Sequence, residues 1–346
     1  MAINPGATMM FAEAGETADV VARQLAANAP LMADLARRLR DADPQILFTC
    51  ARGSSDHAAT FAKYLFETRL NLPTLSQAPS ISSIYGEPLL HMRGQPFVLV
   101  SQSGKSPDLL LSAEAARKAG ALVIAFLNDT SAPLAALADI VVPLHAGAEK
   151  SVAATKSYIA TLSAFAHLTS VWTGDAALVS AVATLPEQLG MAWAADWNPA
   201  LPALSNASSM FTLGRGLSLG IAQEAALKFK ETSGIHAEAF SIAEVAHGPM
   251  ALVKAGFPLL VFPPLDRAVA GLDKVIAAAV ERDARVIVAG GNFEGVTTLS
   301  VAPDLHPVIG PMVMIQSFYR LINAVAVARG HDPDHPPLLK KVTETR

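Results

Sequence analysis

The sequence predicts an α/β protein built as two tandem, doubly wound parallel-sheet domains related by internal duplication. Two observations predict it. First, apolar runs of four or five residues alternate with longer stretches of helical periodicity, the pattern of β-α-β units whose sheet is covered on both faces. Second, the pattern repeats within the chain. Phe48-Thr49-Cys50-Ala51-Arg52-Gly53-Ser54-Ser55 recurs 163 residues later as Phe211-Thr212-Leu213-Gly214-Arg215-Gly216-Leu217-Ser218. Pro96-Phe97-Val98-Leu99-Val100 precedes Pro258-Leu259-Leu260-Val261-Phe262 by 162 residues, and Ala121-Leu122-Val123-Ile124-Ala125 precedes Ala284-Arg285-Val286-Ile287-Val288 by 163. One such match arises by chance; three in register mark two copies of one unit.

In the first copy the expected order is a helix near 31–40, strand 46–50, helix 55–68 and a short strand near 73–76. Strand 97–101, helix 107–119, strand 121–126, a strand near 140–143 and helix 152–172 follow. The second copy reads as strand 209–213, helix 218–232, strand 258–262, helix 267–282, strands 285–289 and 298–301, and helix 310–329. The domain boundaries expected are a helical segment over 1–30, a first domain over 31–175, a linker with a connecting helix over 176–205, a second domain over 206–330 and a tail over 331–346.

The strand at 97–101 carries the most informative turn. Ser101-Gln102-Ser103-Gly104-Lys105-Ser106 follows it, at the carboxyl end of a parallel strand, where open α/β sheets bind ligands. Ser106-Pro107-Asp108 then supplies a hydroxyl N-cap, proline at the first helical position and an acid in the first turn. Free N–H groups and the helix dipole converge on such a turn and suit a small anion, read here as the phosphate of a metabolite. Gly104-Lys105-Ser106 resembles the end of a nucleotide P-loop, but the glycine needed five positions earlier is Leu99. No G-x-G-x-x-G follows any other strand, so a dinucleotide site is also unsupported. A serine-rich turn that merely caps a helix is the alternative.

Composition bounds the rest. The chain has 346 residues, 16% of them charged, a net charge of −4 and a mean hydropathy of +0.36. So few charges imply extensive burial, by subunit contact or by two tightly packed domains. The dispersed basic residues argue against a nucleic-acid partner. The single cysteine, Cys50, excludes an intrachain disulfide and a cysteine-rich zinc site, and it reads as a reduced, strand-buried thiol of a cytoplasmic protein. Met1-Ala2-Ile3-Asn4-Pro5 lacks the basic start and apolar core of a secretory signal. The least polar helix expected, Ser157–Thr173, is interrupted by Ser, Thr and His167 and falls short of a membrane span, so no membrane partner is expected.

The copies differ where chemistry would sit. Opposite the hydroxyl turn of the first, the second has Pro263-Pro264-Leu265-Asp266. Conversely, Glu224, Lys228 and Glu231 are spaced four and three apart on one face of helix 218–232, against only Lys63 and Glu67 in its counterpart. A solvated salt-bridge face is the alternative, but the neighbours Ala225, Ala226, Leu227 and Phe229 are apolar. A carboxylate partly out of water beside an ammonium is suited to proton transfer. Downstream, Ser241-x-x-Glu244 reads as a capping box that starts a short helix, ended by Gly248-Pro249 with His247 in its last turn. His236-x-Glu238, read as loop, sets no metal geometry, and His236 reads as structural. Asp332 to Thr343 reads as a proline-stiffened tail ending in Lys340 and Lys341. Such an end is ordinarily solvated; the alternative is a lysine over a pocket, with its pKa lowered for imine chemistry with a sugar carbonyl.

Together these segments resemble the tandem sugar-isomerase (SIS) domain family, a flavodoxin-like architecture, and in particular its glucosamine-6-phosphate synthase branch. The matching pieces are Gly53-Ser54-Ser55, Ser101-Gln102-Ser103-Gly104-x-Ser106, Val152-Ala153-Ala154-Thr155-Lys156, Gly214-Arg215-Gly216, Glu224 to Ala239, His247-Gly248-Pro249 and the tail from Asp334 to Lys341. The resemblance implies that Ser101, Gln102, Ser103 and Ser106, with Ser55, hold a sugar 6-phosphate while Ser54, Val152 and Ala154 line the sugar. It implies that Glu231 moves a proton between C1 and C2 and that Lys228 stabilises the developing charge. His247 would open the ring, supplied by the other subunit of a homodimer. Lys341, with Lys340 adjacent, matches a lysine that forms an imine with the keto sugar, on a tail over the active site.

The chain departs from that branch in three places. The synthase begins with a glutaminase domain whose nucleophile is an N-terminal cysteine, whereas here Met1-Ala2 leads into the isomerase-like region and Cys50 lies in a strand. Lys105 stands where the synthase has glutamate, and Glu13-Ala14-Gly15-Glu16 only loosely matches an acidic motif. These departures point to stand-alone deaminases that convert glucosamine 6-phosphate and water to fructose 6-phosphate and ammonia, with no metal or redox cofactor. The alternatives are galactosamine 6-phosphate as substrate, a fructosamine-6-phosphate deglycase, an aminotransferase with a separate glutaminase subunit, and a non-catalytic phosphosugar sensor.

Overall fold

The computed structural model describes residues 3–341. Met1, Ala2 and 342–346, which include the end of the tail expected over 331–346, lie outside the described residues. The chain divides into two compact units whose segments interleave in sequence. One comprises Asp19–Glu149, Ser157–Ala183 and the chain from Lys340; the other comprises the residues through Ala18, Lys150–Lys156 and Thr184–Leu339.

The unit containing Asp19–Glu149 holds strands β1 (Leu47–Cys50), β2 (Thr74–Ser76), β3 (Pro96–Ser101), β4 (Leu122–Leu127) and β5 (Ile140–Pro143). They form one all-parallel sheet in the order β2-β1-β3-β4-β5. The side chains of the central strands β1, β3 and β4 are mostly apolar and largely buried, because a parallel sheet is covered on both faces. Phe48, Phe97, Leu99, Val123 and Ala125 pack on one face with Leu109, Ala113 and Ala116 of helix Pro107–Ala119. Phe66, Phe126 and Phe165 make a second, aromatic cluster, with ring centroids 4.6–5.8 Å apart.

The other unit holds β6 (Ser209–Gly214), β7 (His236–Ser241), β8 (Pro258–Val261), β9 (Arg285–Ala289) and β10 (Thr297–Leu299), paired in the order β10-β9-β8-β6-β7. Read from its first strand this is the same 2-1-3-4-5 arrangement, so the duplication expected from the 163-residue offset is present at the level of topology. Helix Gly310–Ala328 is, among the described residues, the one helix long and apolar enough to cross a membrane. It is 78% buried within the protein. There Phe318 packs against Phe229 and Phe262, as a core helix does.

Five local expectations need correction, each for a physical reason. The helix expected near 31–40 runs from Thr17 to Ala42, straight through Pro30. Burial of Val20, Val21, Met32, Leu35 and Leu39 along it outweighs the hydrogen bond the proline removes. The helix expected from 152 begins at Lys156, and that expected from 267 begins at Leu272, after a single 3-10 turn, because Gly271 sits at φ +86°. The capping box at 241–244 does not form. Its residues start only the 3-10 turn Glu244–Ala246, which Ala243 precedes without a side-chain cap. Finally, 236–241 is a strand rather than a loop, in register with β6 from Ser209↔His236 to Gly214↔Ser241.

Candidate functional site

In the 2-1-3-4-5 order the sheet reverses direction of growth between its first and third strands, and ligands of such sheets bind at the carboxyl ends of that pair. β1 and β3 are these neighbours, paired Phe48↔Phe97 to Cys50↔Leu99. The turns beyond them carry every phosphate-binding residue expected from sequence. After β1, Gly53 takes φ +54° and hands the chain to helix Ser54–Leu70, with Ser54 and Ser55 half-buried in its first turn. After β3, Gly104 takes φ +62°, and a Cβ there would meet that of Ala132 at 2.7 Å, so the turn accepts only glycine. Ser101 Oγ accepts the Gly104 N–H at 2.9 Å, and Ser103 Oγ accepts that of Lys105 at 3.4 Å. Both hydroxyls lend a lone pair to the turn. Ser106 precedes helix Pro107–Ala119 without capping it, so its hydroxyl is not used by the helix.

Glu149 organises the rest of this cluster, and sequence reasoning missed it. Its side chain is fully buried. Its carboxylate accepts from Ser157 N–H at 3.2 Å and Ser157 Oγ at 2.6 Å, at the start of helix Lys156–Thr173. It also accepts from Gln102 Nε2 at 3.3 Å and Lys341 Nζ at 3.4 Å. One carboxylate thus joins the hydroxyl-rich turn after β3 to Lys341. Lys340 is exposed, so of the two adjacent lysines the geometry brings Lys341 to the turn.

In the second unit, Glu224, Lys228 and Glu231 share one face of helix Leu219–Ser233. Lys228 Nζ lies 3.0 Å from Glu224 Oε1 and 2.7 Å from Glu231 Oε2. Lys228 and Glu224 are buried, and Tyr319 Oη donates to Glu224 at 3.2 Å, whereas Glu231 keeps 22% of its side-chain surface. Burial by itself would lower the Lys228 pKa; the adjoining charges of Glu224 and then Glu231 outweigh it and hold the ammonium above the usual lysine range. Lys228 therefore stays charged at neutral pH and acts as an electrostatic group. Glu224 is the buried counter-charge, and Glu231 is the one of the two carboxylates that keeps exposed surface.

The segment before helix Lys156–Thr173 belongs to the same unit. Glu13 accepts from the N–H groups of Lys150 and Ser151, and Glu16 Oε2 accepts from the buried Lys156 Nζ at 2.6 Å. The two acids therefore hold both ends of the irregular segment 150–156, which bends at 151–153. Ser151, Ala153 and Thr155 are buried in it, and Val152 and Ala154 remain partly accessible, the two positions expected to line a sugar. His247 is exposed beyond the turn Glu244–Ala246, and its ring hydrogen-bonds no described residue. Cys50 is buried, and burial pushes its thiol up to about 12, so it is no nucleophile at neutral pH. A recess of about 460 Å³, lined by Arg40, Asp43, Gln45, Asn71 and Trp172, lies at the opposite, amino-terminal end of β1 and β2 and contains none of these groups.

The SIS domain model matches residues 38–171 and 203–289, one stretch for each copy of the repeat. The chain belongs to the SIS domain family, with two such domains in tandem. A protein from Silicibacter pomeroyi DSS-3, provisionally named a phosphosugar isomerase, is similar at 40% identity and a TM-score of 0.90, over 94% of this chain and 100% of that one. The C-terminal domain of glucosamine-fructose-6-phosphate aminotransferase from Francisella tularensis is similar at 26% identity and a TM-score of 0.84, over 95% and 98% of the two chains. Glutamine–fructose-6-phosphate aminotransferase (isomerizing) of Symbiobacterium thermophilum is 34% identical over 314 residues, 84% of this chain and 50% of that protein. The chain spans about half the length of the curated relatives it matches.

Proposed function

We propose that this protein is a phosphosugar aldose–ketose isomerase/deaminase that converts glucosamine 6-phosphate and water into fructose 6-phosphate and ammonia. The observation that carries the reading is the Lys228–Glu231 contact of 2.7 Å, in which a permanently charged lysine flanks an accessible carboxylate while Glu224 stays buried. In the open-chain aminosugar, Glu231 takes the proton from C2 and returns it to C1. The C1 carbonyl becomes an alcohol and the C2 amine becomes an imine. Lys228 stabilises the negative charge that builds on the C1 oxygen between the two transfers. Attack of water at C2 then expels ammonia and leaves the ketone. We assign to Lys341, which Glu149 holds together with Gln102, an exchange with the C2 imine: its amine adds at C2 and ammonia leaves, and water then releases the ketone from the lysine imine.

The hydroxyl-rich turns after β1 and β3 support a phosphate ligand, and the names of the relatives support a hexose 6-phosphate. His247, exposed and with a ring that hydrogen-bonds none of the described residues, supports the family's arrangement in which a homodimer exchanges this residue to open the sugar ring. The reading places the protein in the cytoplasm, where its substrate and a reduced Cys50 belong.

Ammonia release in the absence of glutamine tests the proposal, with glucosamine 6-phosphate compared against galactosamine 6-phosphate and a fructosamine 6-phosphate. Turnover of the first is expected, and E231Q lowers kcat by a factor on the order of 10³ while sugar-phosphate binding persists. Residual activity near wild type would remove Glu231 from its role. Tight binding without turnover of any of the three would make the protein a sensor.

A further inference from the structure

We infer that Arg52 is the fixed cation of the phosphate subsite and that buried Asp108 is the residue that aims it; the assignment rests on the phosphosugar reading above. Arg52 lies two residues beyond Cys50, as Ser101 lies two beyond Leu99, and Cys50 and Leu99 are paired across β1 and β3. The arginine and the hydroxyl turn therefore leave the sheet side by side at its switch point. Arg52 Nε donates to Asp108 Oδ2 at 2.8 Å. Asp108 has no exposed side-chain surface, and its other oxygen accepts the Leu109 N–H at 2.8 Å in the first turn of the helix that follows the hydroxyl turn. Binding through Nε leaves the terminal guanidinium nitrogens, and 51% of the Arg52 side chain is exposed.

A guanidinium oriented in this way offers two parallel N–H donors, the geometry that a phosphate monoester accepts in bidentate form. The hydroxyls of Ser55, Ser101, Ser103 and Ser106 supply neutral donors; a dianion needs opposing charge as well. The other cations near this turn are committed differently. Lys105 makes an exposed 3.5 Å pair with Asp129, and Lys341 is held by Glu149. The duplicated half provides an internal control. Arg215 stands where Arg52 does, but among the described residues it donates to the Ala270 carbonyl at 3.3 Å and to no carboxylate, and its neighbouring loop is Pro263-Pro264-Leu265-Asp266. The arginine occurs in both copies; the buried carboxylate clamp occurs in the copy that has the hydroxyl turn. Arg52 thereby selects a phosphorylated sugar over its neutral counterpart.

Calorimetric binding of fructose 6-phosphate and the kinetics of ammonia release from glucosamine 6-phosphate test this on the full chain. Losing a charge-assisted contact is expected to raise Kd and KM about tenfold or more in R52M, with kcat within about threefold of wild type. R52K, which keeps the charge without the fork, falls between the two. R52M leaves Asp108 buried without its partner, so the double variant R52M/D108N is measured beside it. Its melting temperature should recover while binding stays weak. Wild-type affinity in a folded R52M, an equal loss in K105M, or recovery of binding in R52M/D108N would each overturn the assignment alone. Absence of sugar-phosphate binding by the wild-type protein would overturn the phosphosugar reading and the assignment with it.

Discussion

At the scale of single residues the chemistry depends on charges held where water is scarce. Lys228 is the clearest case, an ammonium buried between Glu224 and Glu231. Its pKa is raised in the folded state despite burial, so its stabilising contribution is fully present below the unfolded lysine value and is lost only as pH rises through the folded one. At neutral pH the contribution is therefore complete. K228M strands two carboxylates against each other, one of them fully buried, and is expected to cost about 3–5 kcal/mol in urea denaturation. The double variant K228M/E224L, which also removes the buried counter-charge, should recover much of that loss without recovering turnover. A K228M protein as stable as wild type would show that the triad is solvated.

At the scale of elements, the helix after the irregular 150–156 segment shows how one buried group sets a pH response. His167 lies within helix Lys156–Thr173, and its Nδ1 is buried with no hydrogen-bond partner. Burial lowers its pKa in the folded state, so below the unfolded value near 6.5 the unfolded chain takes up a proton that the folded chain refuses. Stability from this site is present above about pH 6.5 and is lost as pH falls from there toward the folded-state pKa. H167L removes the titration while preserving apolar volume. Its melting temperature should fall less than that of wild type between pH 7 and pH 5, and an unchanged pH profile would show that His167 does not carry the response. The edge strand β7 belongs to this scale too. Its short, partly exposed run His236-Ala237-Glu238-Ala239-Phe240-Ser241 lacks the continuous apolar signal of a central strand. It could have been found through the repeat, because β2 begins at Thr74, 162 residues before His236.

At the scale of the whole molecule, two copies of one topology have diverged into unlike roles. The first kept a glycine-and-hydroxyl turn at its switch point, and the second kept a charged helix face. Gly53 and Gly216 show what survived in both: at φ +54° and φ +60° they hold the same place in the turn after each copy's first strand, a backbone conformation that a residue with a side chain adopts only under strain. The proposed homodimer makes a prediction at this scale. E231Q and H247A, each inactive alone, should regain about a quarter of wild-type activity when unfolded together and refolded as a mixture, because half the dimers are hybrids and each hybrid has one intact site. Failure of mixed, refolded dimers to recover activity would return His247 to its own chain.

Much of this was legible from neighbouring residues along the chain. Strand-like runs, most of them apolar, marked nine of the ten strands of the described residues, Ser-Pro-Asp marked the start of helix Pro107–Ala119, and four-and-three spacing placed Glu224, Lys228 and Glu231 on one face. These features depend on local periodicity and on backbone groups a few residues apart, so sequence by itself determined the duplicated fold and the candidate phosphate turn. Only the tertiary structure decided which acids matter. Glu149 meets Lys341 across 192 residues, Tyr319 meets Glu224 across 95, and Arg52 meets Asp108 across 56. Whether a carboxylate is solvated or enclosed depends on such distant partners, because burial is a property of what the rest of the chain packs around it.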